Sequence, residues 1–357
     1  MNDPRLKRLA KTLVNYSVKL KKSEKILISA NQSSWPLAKE VYKLSLKIGA
    51  FPHLVYGQQD LEYFFYQNAN QAQLTQPPAI AIFLANWADK FIRLYSAKNN
   101  RSLANINPQK LMTTAKVSEP VKDIMLNKSW VLTEYPSESM AQTAGMSLDE
   151  LEEIYFKACL QDWSKMTKTL TKLQKRLDNS KTVKVIGFKT DLTLSFTNRY
   201  FQICTGSHNL PDGEIFSAPI DNSANGQIYF DLPSLRSGNL VEGVTLTFKK
   251  GQVVKATAEK GQKYLTAALQ SDPGAKRLGE FALGANYGIK KPMLNTLFDE
   301  KIGGTIHLAL GSAYPEKRGG GINKSSLHWD LVKSMSTSQS VVQVNNRPIL
   351  KSAKLLV

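Results

Sequence analysis

The first half of the chain alternates between two hydrophobic periods. Leucine and valine recur at helical spacing in some segments, and short apolar runs bounded by glycine, proline or asparagine separate these segments. Helices are predicted at residues 4–18, 34–49, 60–68 and 108–126, and strands at 25–30, 51–56, 79–84, 90–96 and 130–135. This alternation is typical of βαβ units and predicts a mainly parallel sheet.

The second half of the chain is richer in strands. Ser147 and Glu150 match a capping box, which predicts a long helix ending near residue 177. Strands are predicted at 182–188, 192–197, 226–232, 244–248 and 253–258, with a helix at 259–269 and a hairpin turning at Asn345 and Asn346. We therefore predict an α/β amino-terminal domain at residues 1–178, which ends in the long helix, and a β-rich α+β domain at residues 179–357.

Two histidines near the carboxyl end lie in strand-like segments. Alternation over residues 305–310 places three aliphatic side chains on one face of a strand and His307 on the other. His328 and Asp330 are separated by one residue, so both leave an extended backbone on the same side, while Trp329 faces the opposite way. Two imidazoles and a carboxylate suit Zn²⁺, Co²⁺ or Mn²⁺. An isolated strand histidine more often has a packing role, so other ligands are needed.

Two glutamates of the β-rich half supply candidates for those ligands. A Pro-Asp-Gly turn precedes Glu214 directly and brings its carboxylate to the start of a strand. Gly279 and Gly284 flank the segment of Glu280 and permit a close approach of the backbone. Each glutamate taken singly is most simply a solvated turn residue. Together with the histidines, the two glutamates extend the hypothesis of a metal site.

Several long sequence motifs resemble those of one known family. They read N-L-P-D-G-E-I-F-S-A-P at 209–219, Q-I-Y-F-D-L-P-S-L at 227–235, G-E-F-A-L-G-A-N-Y-G-I at 279–289, L-F-D-E-K-I-G-G-T-I-H-L-A-L-G at 297–311, S-S-L-H-W-D-L at 325–331 and L-V-N-Y-S-V at 13–18. With these motifs the chain resembles the aminopeptidase T and aminopeptidase S metallopeptidases of bacteria. The resemblance covers most of the chain.

The resemblance implies a metalloaminopeptidase that releases amino-terminal residues from peptides through a water activated by two metal ions. The implied metal ligands are Glu214, Glu280, His307, His328 and Asp330, and the ions are Zn, Co or Mn. Tyr314, seven residues beyond the first histidine, is implied as a catalytic residue. The resemblance also implies an α/β amino-terminal domain, a separate catalytic domain and a homodimer. It does not identify the general base, for which Asp299, Glu300 and Glu316 are candidates.

Composition and charge add the expected location and leave two alternatives open. Two cysteines without a C-x-x-C motif favour a reducing cytoplasm, and the chain shows neither a signal peptide nor an apolar run that could span a membrane. The net charge of +18 is scattered rather than clustered, so we expect no nucleic acid as a partner. The resemblance implies peptides with a free amino terminus as substrates. The alternatives are another two-metal amide or phosphoester hydrolase and a basic nucleic-acid-binding scaffold with a degenerate site.

Overall fold

The computed structural model describes residues 3–178, 180–315 and 319–356, and these form two compact units. One unit consists of Met1–Leu160 with Gly206–Leu210, and the other of Gln161–Thr205 with Pro211–Val357. The boundary that we predict near residue 178 falls at the end of a helix that groups with the second unit. Within the described residues, no helix is both long enough and apolar enough to cross a lipid bilayer.

The helices and strands are numbered in chain order. The helices are α1 Pro4–Lys11, α2 Trp35–Ile48, α3 Gln59–Asn68, α4 Gln71–Thr75, α5 Ala79–Trp87, α6 Pro108–Val117, α7 Glu119–Leu126, α8 Glu138–Ala144, α9 Leu148–Cys159, α10 Trp163–Leu177, α11 Gln262–Leu269 and α12 Thr296–Asp299, with a π-helical segment at Thr12–Ser17 and a 3-10 turn at Pro273–Lys276. The strands are β1 Lys25–Asn31, β2 Phe51–Gly57, β3 Lys90–Tyr95, β4 Ser129–Glu134, β5 Thr182–Gly187, β6 Thr190–Ser195, β7 Gln202–Cys204, β8 Asn209–Leu210, β9 Glu214–Ser217, β10 Asn225–Phe230, β11 Ser234–Arg236, β12 Asn239–Val241, β13 Val244–Lys249, β14 Gln252–Thr257, β15 Leu278–Gly284, β16 Thr305–Gly311, β17 His328–Ser334, β18 Val341–Val344, β19 Arg347–Lys351 and β20 Lys354–Leu355.

The first unit is built on a five-stranded parallel sheet in the order β2-β1-β3-β4-β8. Since β2 and β3 lie on opposite sides of β1, right-handed crossovers place α2 on one face of the sheet and α5 on the other. On the α5 face, Leu27 and Phe91 pack with Ala85 and Ala88, and residues of α7 complete this cluster. The predicted parallel sheet is confirmed.

Residues 79–84, predicted as a strand, belong instead to helix α5. The strand prediction was wrong because a short apolar run fits a buried strand and a helix equally well. Both edges of β1 are already hydrogen-bonded, to β2 and to β3, so this run has no place in the centre of the sheet. As a helix it satisfies its own backbone and buries Ala85.

Two helices predicted as continuous are each divided in the structure. Ser147 does cap α9, since its side chain accepts a hydrogen bond from the backbone amide of Glu150 at 3.2 Å. Asp162 then accepts a bond from the amide of Lys165 and begins α10 as a separate helix. The helix predicted at 108–126 is likewise divided into α6 and α7, because Pro120 lies in the first turn of α7 and lacks a backbone donor.

Within the described residues, the second unit contains two large antiparallel sheets and a two-stranded antiparallel ribbon of β11 and β12. The larger sheet has the order β14-β13-β10-β6-β5-β18-β19-β20, and the smaller has the order β17-β16-β15-β9-β7. Aliphatic and aromatic side chains of both sheets, with leucines of α10 and α11, form one continuous core. The hairpin predicted at Asn345 and Asn346 is present, and both residues have positive φ angles, of 47° and 65°. The predicted fold class is confirmed in both of its parts.

Candidate metal centre

Four neighbouring strands of the smaller sheet carry the predicted metal ligands. In the order β17-β16-β15-β9 they contribute His328 with Asp330, then His307, Glu280 and Glu214. The register sets Ala309 beside both Glu280 and Asp330. It sets Gly284 beside Glu214. Paired residues of adjacent strands point to the same face, so all five side chains share one face, and alanine and glycine leave space between them.

Glu280 lies between the two histidines. Its Oε1 is 3.2 Å from Nε2 of His307, and its Oε2 is 3.8 Å from Nε2 of His328. Glu214 approaches the first histidine, with Oε2 at 3.6 Å from Nε2, and Asp330 approaches the second, with Oδ1 at 3.5 Å. The ligands therefore form two groups of three that share Glu280.

Both histidines are oriented by main-chain carbonyl groups. Nδ1 of His307 lies 3.1 Å from the carbonyl oxygen of Glu300, and Nδ1 of His328 lies 2.8 Å from that of Ser312. Because a carbonyl oxygen only accepts hydrogen bonds, Nδ1 carries the hydrogen in each ring and Nε2 faces the carboxylates. This arrangement, in which an outer carbonyl fixes the ring, is typical of histidines that bind metals.

The centre favours positive charge at Nε2 of His307. Burial disfavours the imidazolium, but the hydrogen bond to Glu280 and the charge of Glu214 outweigh burial and raise the pKa of His307 to about 9. Among the described residues, Oε2 of Glu214 and Oδ1 of Asp330 are buried without a hydrogen-bond partner. A divalent cation would satisfy these oxygens and replace the proton on the histidine, so the donor set fits divalent ions.

Sequence reasoning offered Lys301 as a partner of Glu300 but missed its burial and its contact with Glu214. The side chain of Lys301 is 1% exposed, and its Nζ lies 2.7 Å from Oε1 of Glu214 and also contacts a carboxylate oxygen of Glu300. Burial opposes the ammonium, yet Glu214 and Glu300 raise the pKa of Lys301 well above its usual value. No hydropathy pattern indicates this role, because lysine is ordinarily a surface residue.

Tyr314 lies at the edge of the centre and is 40% exposed. Its ring centroid is 5.4 Å from that of His328 and 5.3 Å from that of Phe216. Partial burial and the negative charge of Glu280 and Asp330 raise the pKa of the Tyr314 hydroxyl above its ordinary value. The hydroxyl therefore stays protonated and remains a hydrogen-bond donor.

Two of the three candidates for the general base are held by other partners in the structure. Asp299 is the last residue of α12, and its carboxylate accepts backbone hydrogen bonds from Met293 at 2.6 Å and Asn295 at 3.1 Å. These bonds give the carboxylate a structural role, in which it holds the loop before α12. Glu300 is paired with Lys301. Glu316 lies outside the described residues.

Comparison with known proteins gives the family and the relatives of the chain. The family model described as thermophilic metalloprotease (M29) matches residues 2–348. The chain is 26% identical to aminopeptidase 2 of Geobacillus stearothermophilus, covering 90% of this chain and 87% of that protein. It is also 26% identical to aminopeptidase T of Thermus thermophilus, covering 91% of each. The solved structure of wild-type AmpT from Thermus thermophilus matches with a TM-score of 0.85 at 23% identity over 99% of each chain.

The chain is a metallopeptidase by its family. It belongs to the thermophilic metalloprotease family M29, whose model covers almost its whole length. The resemblance predicted from the sequence motifs is confirmed, as is the predicted class of enzyme, a metal-dependent hydrolase that acts on peptide bonds. The match to AmpT shows a shared fold for both predicted parts of the chain.

Proposed function

We propose that this enzyme is an aminopeptidase whose centre holds two divalent ions through Glu214, Glu280, His307, His328 and Asp330. The observation that carries the proposal is the position of Glu280, whose two oxygens face different histidines. A carboxylate shared in this way divides five ligands into two sets of three. The names of the relatives, aminopeptidase 2 and aminopeptidase T, support an exopeptidase.

The protein groups define what the centre offers to a peptide. Divalent ions bound there would supply Lewis acidity, a water of lowered pKa and a position for a free amine. The carboxylates of Glu214, Glu280 and Asp330 supply three negative charges that offset most of the charge of two such ions. The sheet fixes these carboxylates on rigid strands, so the groups around the reacting carbonyl need no rearrangement.

Tyr314 is proposed to donate a hydrogen bond to the oxygen of the reacting carbonyl group. It lies beside His328, and its raised pKa keeps the proton on the hydroxyl. A donor at this position would stabilise the negative charge that develops on the oxygen, a contribution of roughly 3 kcal/mol in comparable enzymes.

We also propose that the enzyme is a homodimer. Helix α3 has no buried residue. Phe64 and Phe65 follow Leu61 by three and four residues, so the three side chains share one face, and they expose 68% (Leu61), 56% (Phe64) and 41% (Phe65) of their surface. An apolar helix face of this kind suits a symmetric contact with a second copy. Light scattering on the intact enzyme gives its mass, and a monomer at micromolar concentration would contradict the proposal.

Metal dependence and the need for a free amino terminus test the proposed activity together. We expect the purified enzyme to lose release of leucine from a leucyl peptide after treatment with a chelator, and to regain it with Co²⁺, Zn²⁺ or Mn²⁺. The same peptide with an acetylated amino terminus should resist hydrolysis. Hydrolysis of the acetylated peptide would indicate an endopeptidase or amidase instead. Binding of fewer than two metal ions per chain would contradict the shared role of Glu280.

A further inference from the structure

A cavity lined by polar and apolar residues lies at the carboxyl ends of the parallel strands in the first unit. The register pairs Ser29 of β1 with Val55 of β2 and Arg93 of β3, so these three side chains form one row on one face of the sheet. Two residues further along each strand, Asn31 and Tyr95 lie on the same face. Residues of all three strands line a cavity of about 300 Å³.

The topology explains why this end of the sheet is open. The cluster of α5 and α7 covers Leu27 and Phe91, one row before Ser29 and Arg93. The connections that leave β1 and β3 run to opposite faces, because β2 and β3 lie on opposite sides of β1. A crevice at such a reversal of strand order is where open parallel sheets commonly bind ligands.

Two exposed charged residues and one buried hydroxyl belong to the lining of the cavity. Arg93 and Glu62 both line the cavity, and within the described part of the chain neither side chain forms a hydrogen bond or a salt bridge. The hydroxyl of Ser96 also belongs to the lining, is buried at 1% exposure and has no hydrogen-bond partner among the described residues. A cation and an anion that line one cavity without pairing suit a ligand that carries both opposite charges.

We infer that this cavity is a second binding site, which takes a free α-amino acid with an apolar side chain. Arg93 would bind the carboxylate of the ligand, and Glu62 would bind its ammonium group. Val55 and Tyr95 provide an apolar wall for the side chain, and the volume is at the small end of the range for ligand cavities, which begins at roughly 300 Å³. The sequence has no glycine-rich phosphate loop after any of these strands, which argues against a nucleotide.

Equilibrium dialysis of the metal-loaded enzyme with radiolabelled L-leucine tests the second site. We expect Arg93→Met to bind one leucine per chain fewer than the wild type, while its rate of peptide hydrolysis is unchanged. The matched control is Arg101→Met, which removes an exposed arginine outside the cavity lining and should bind leucine as the wild type does. Equal leucine stoichiometry in Arg93→Met and the wild type would overturn the inference.

Analogues of leucine test the assignment of the two charges. Isoamylamine lacks the carboxylate and 4-methylpentanoate lacks the ammonium group, so each should compete for the Arg93-dependent leucine at least about tenfold more weakly than leucine itself. Glu62→Gln should weaken leucine binding by a similar factor, and it is the second variant to test if Arg93→Met does not fold. Equal competition by either analogue would contradict recognition of both charges.

Discussion

Replacement of Glu280 by glutamine is expected to lower peptide hydrolysis by about 10³-fold or more, which corresponds to about 4 kcal/mol. Glu280 is 3% exposed, and its two oxygens lie 3.2 and 3.8 Å from the two histidines. Glutamine keeps the size of the side chain but removes the negative charge and turns one oxygen into an amide nitrogen, which cannot bind a cation. Both halves of the centre should be affected, because both use this residue.

The metal content separates this loss from a purely catalytic defect. We expect two ions per chain in the wild type and at most one in Glu280→Gln, measured by elemental analysis after dialysis against each metal. Tyr314→Phe should keep both ions and lose about 10²-fold in kcat, because it lacks only a hydrogen-bond donor. Glu242→Gln is the matched control, since Glu242 pairs with Lys260 on the surface of the same unit. Two tightly bound ions in Glu280→Gln would contradict the shared role of this carboxylate.

Much of the centre was predictable because strands impose a period of two on the sequence. His328 and Asp330 leave the same side of β17 for this reason, and Trp329, at 1% exposure, packs on the other side as predicted. The assignment of Glu214 and Glu280 depended on the resemblance to a family, because each glutamate taken singly fits a solvated turn, and five other strands separate β9 from β15 in the sequence. Their adjacency is a property of strand order, which local patterns do not encode.

The failures of prediction have a common physical origin. The segment at 79–84 has no amphipathic period, so its conformation depends on whether the sheet has a free edge beside it, and this is tertiary information. The burial of Lys301 could not be predicted from the sequence for a similar reason. Burial of a charged lysine is costly unless carboxylates lie beside it, and here one of them, Glu214, comes from 87 residues away.

Replacement of Lys301 by methionine is expected to lower the free energy of unfolding of the metal-free enzyme by about 3 kcal/mol at pH 9. Methionine has a similar length and fills the space, but Glu214 and Glu300 would remain buried without a cation between them. The matched control is Lys260→Met. Lys260 pairs with Glu242 at 3.8 Å, with 59% and 43% of the side chains exposed, so its loss should cost less than about 0.5 kcal/mol.

The dependence of this loss on pH identifies its cause as charge rather than packing. Burial raises the pKa of Glu214 from the usual 4.5 to about 8, even with Lys301 present. In the folded wild type the carboxyl group of Glu214 ionises only above about pH 8, and without Lys301 its pKa is higher still, so the extra cost of losing the lysine appears as the pH rises through 8 towards 9. Urea unfolding in the presence of a chelator should therefore show a large difference between variant and wild type at pH 9 and a small one at pH 5. A difference that is equal at both pH values would instead indicate that methionine packs poorly, and that the ammonium of Lys301 does not balance the carboxylates of the centre.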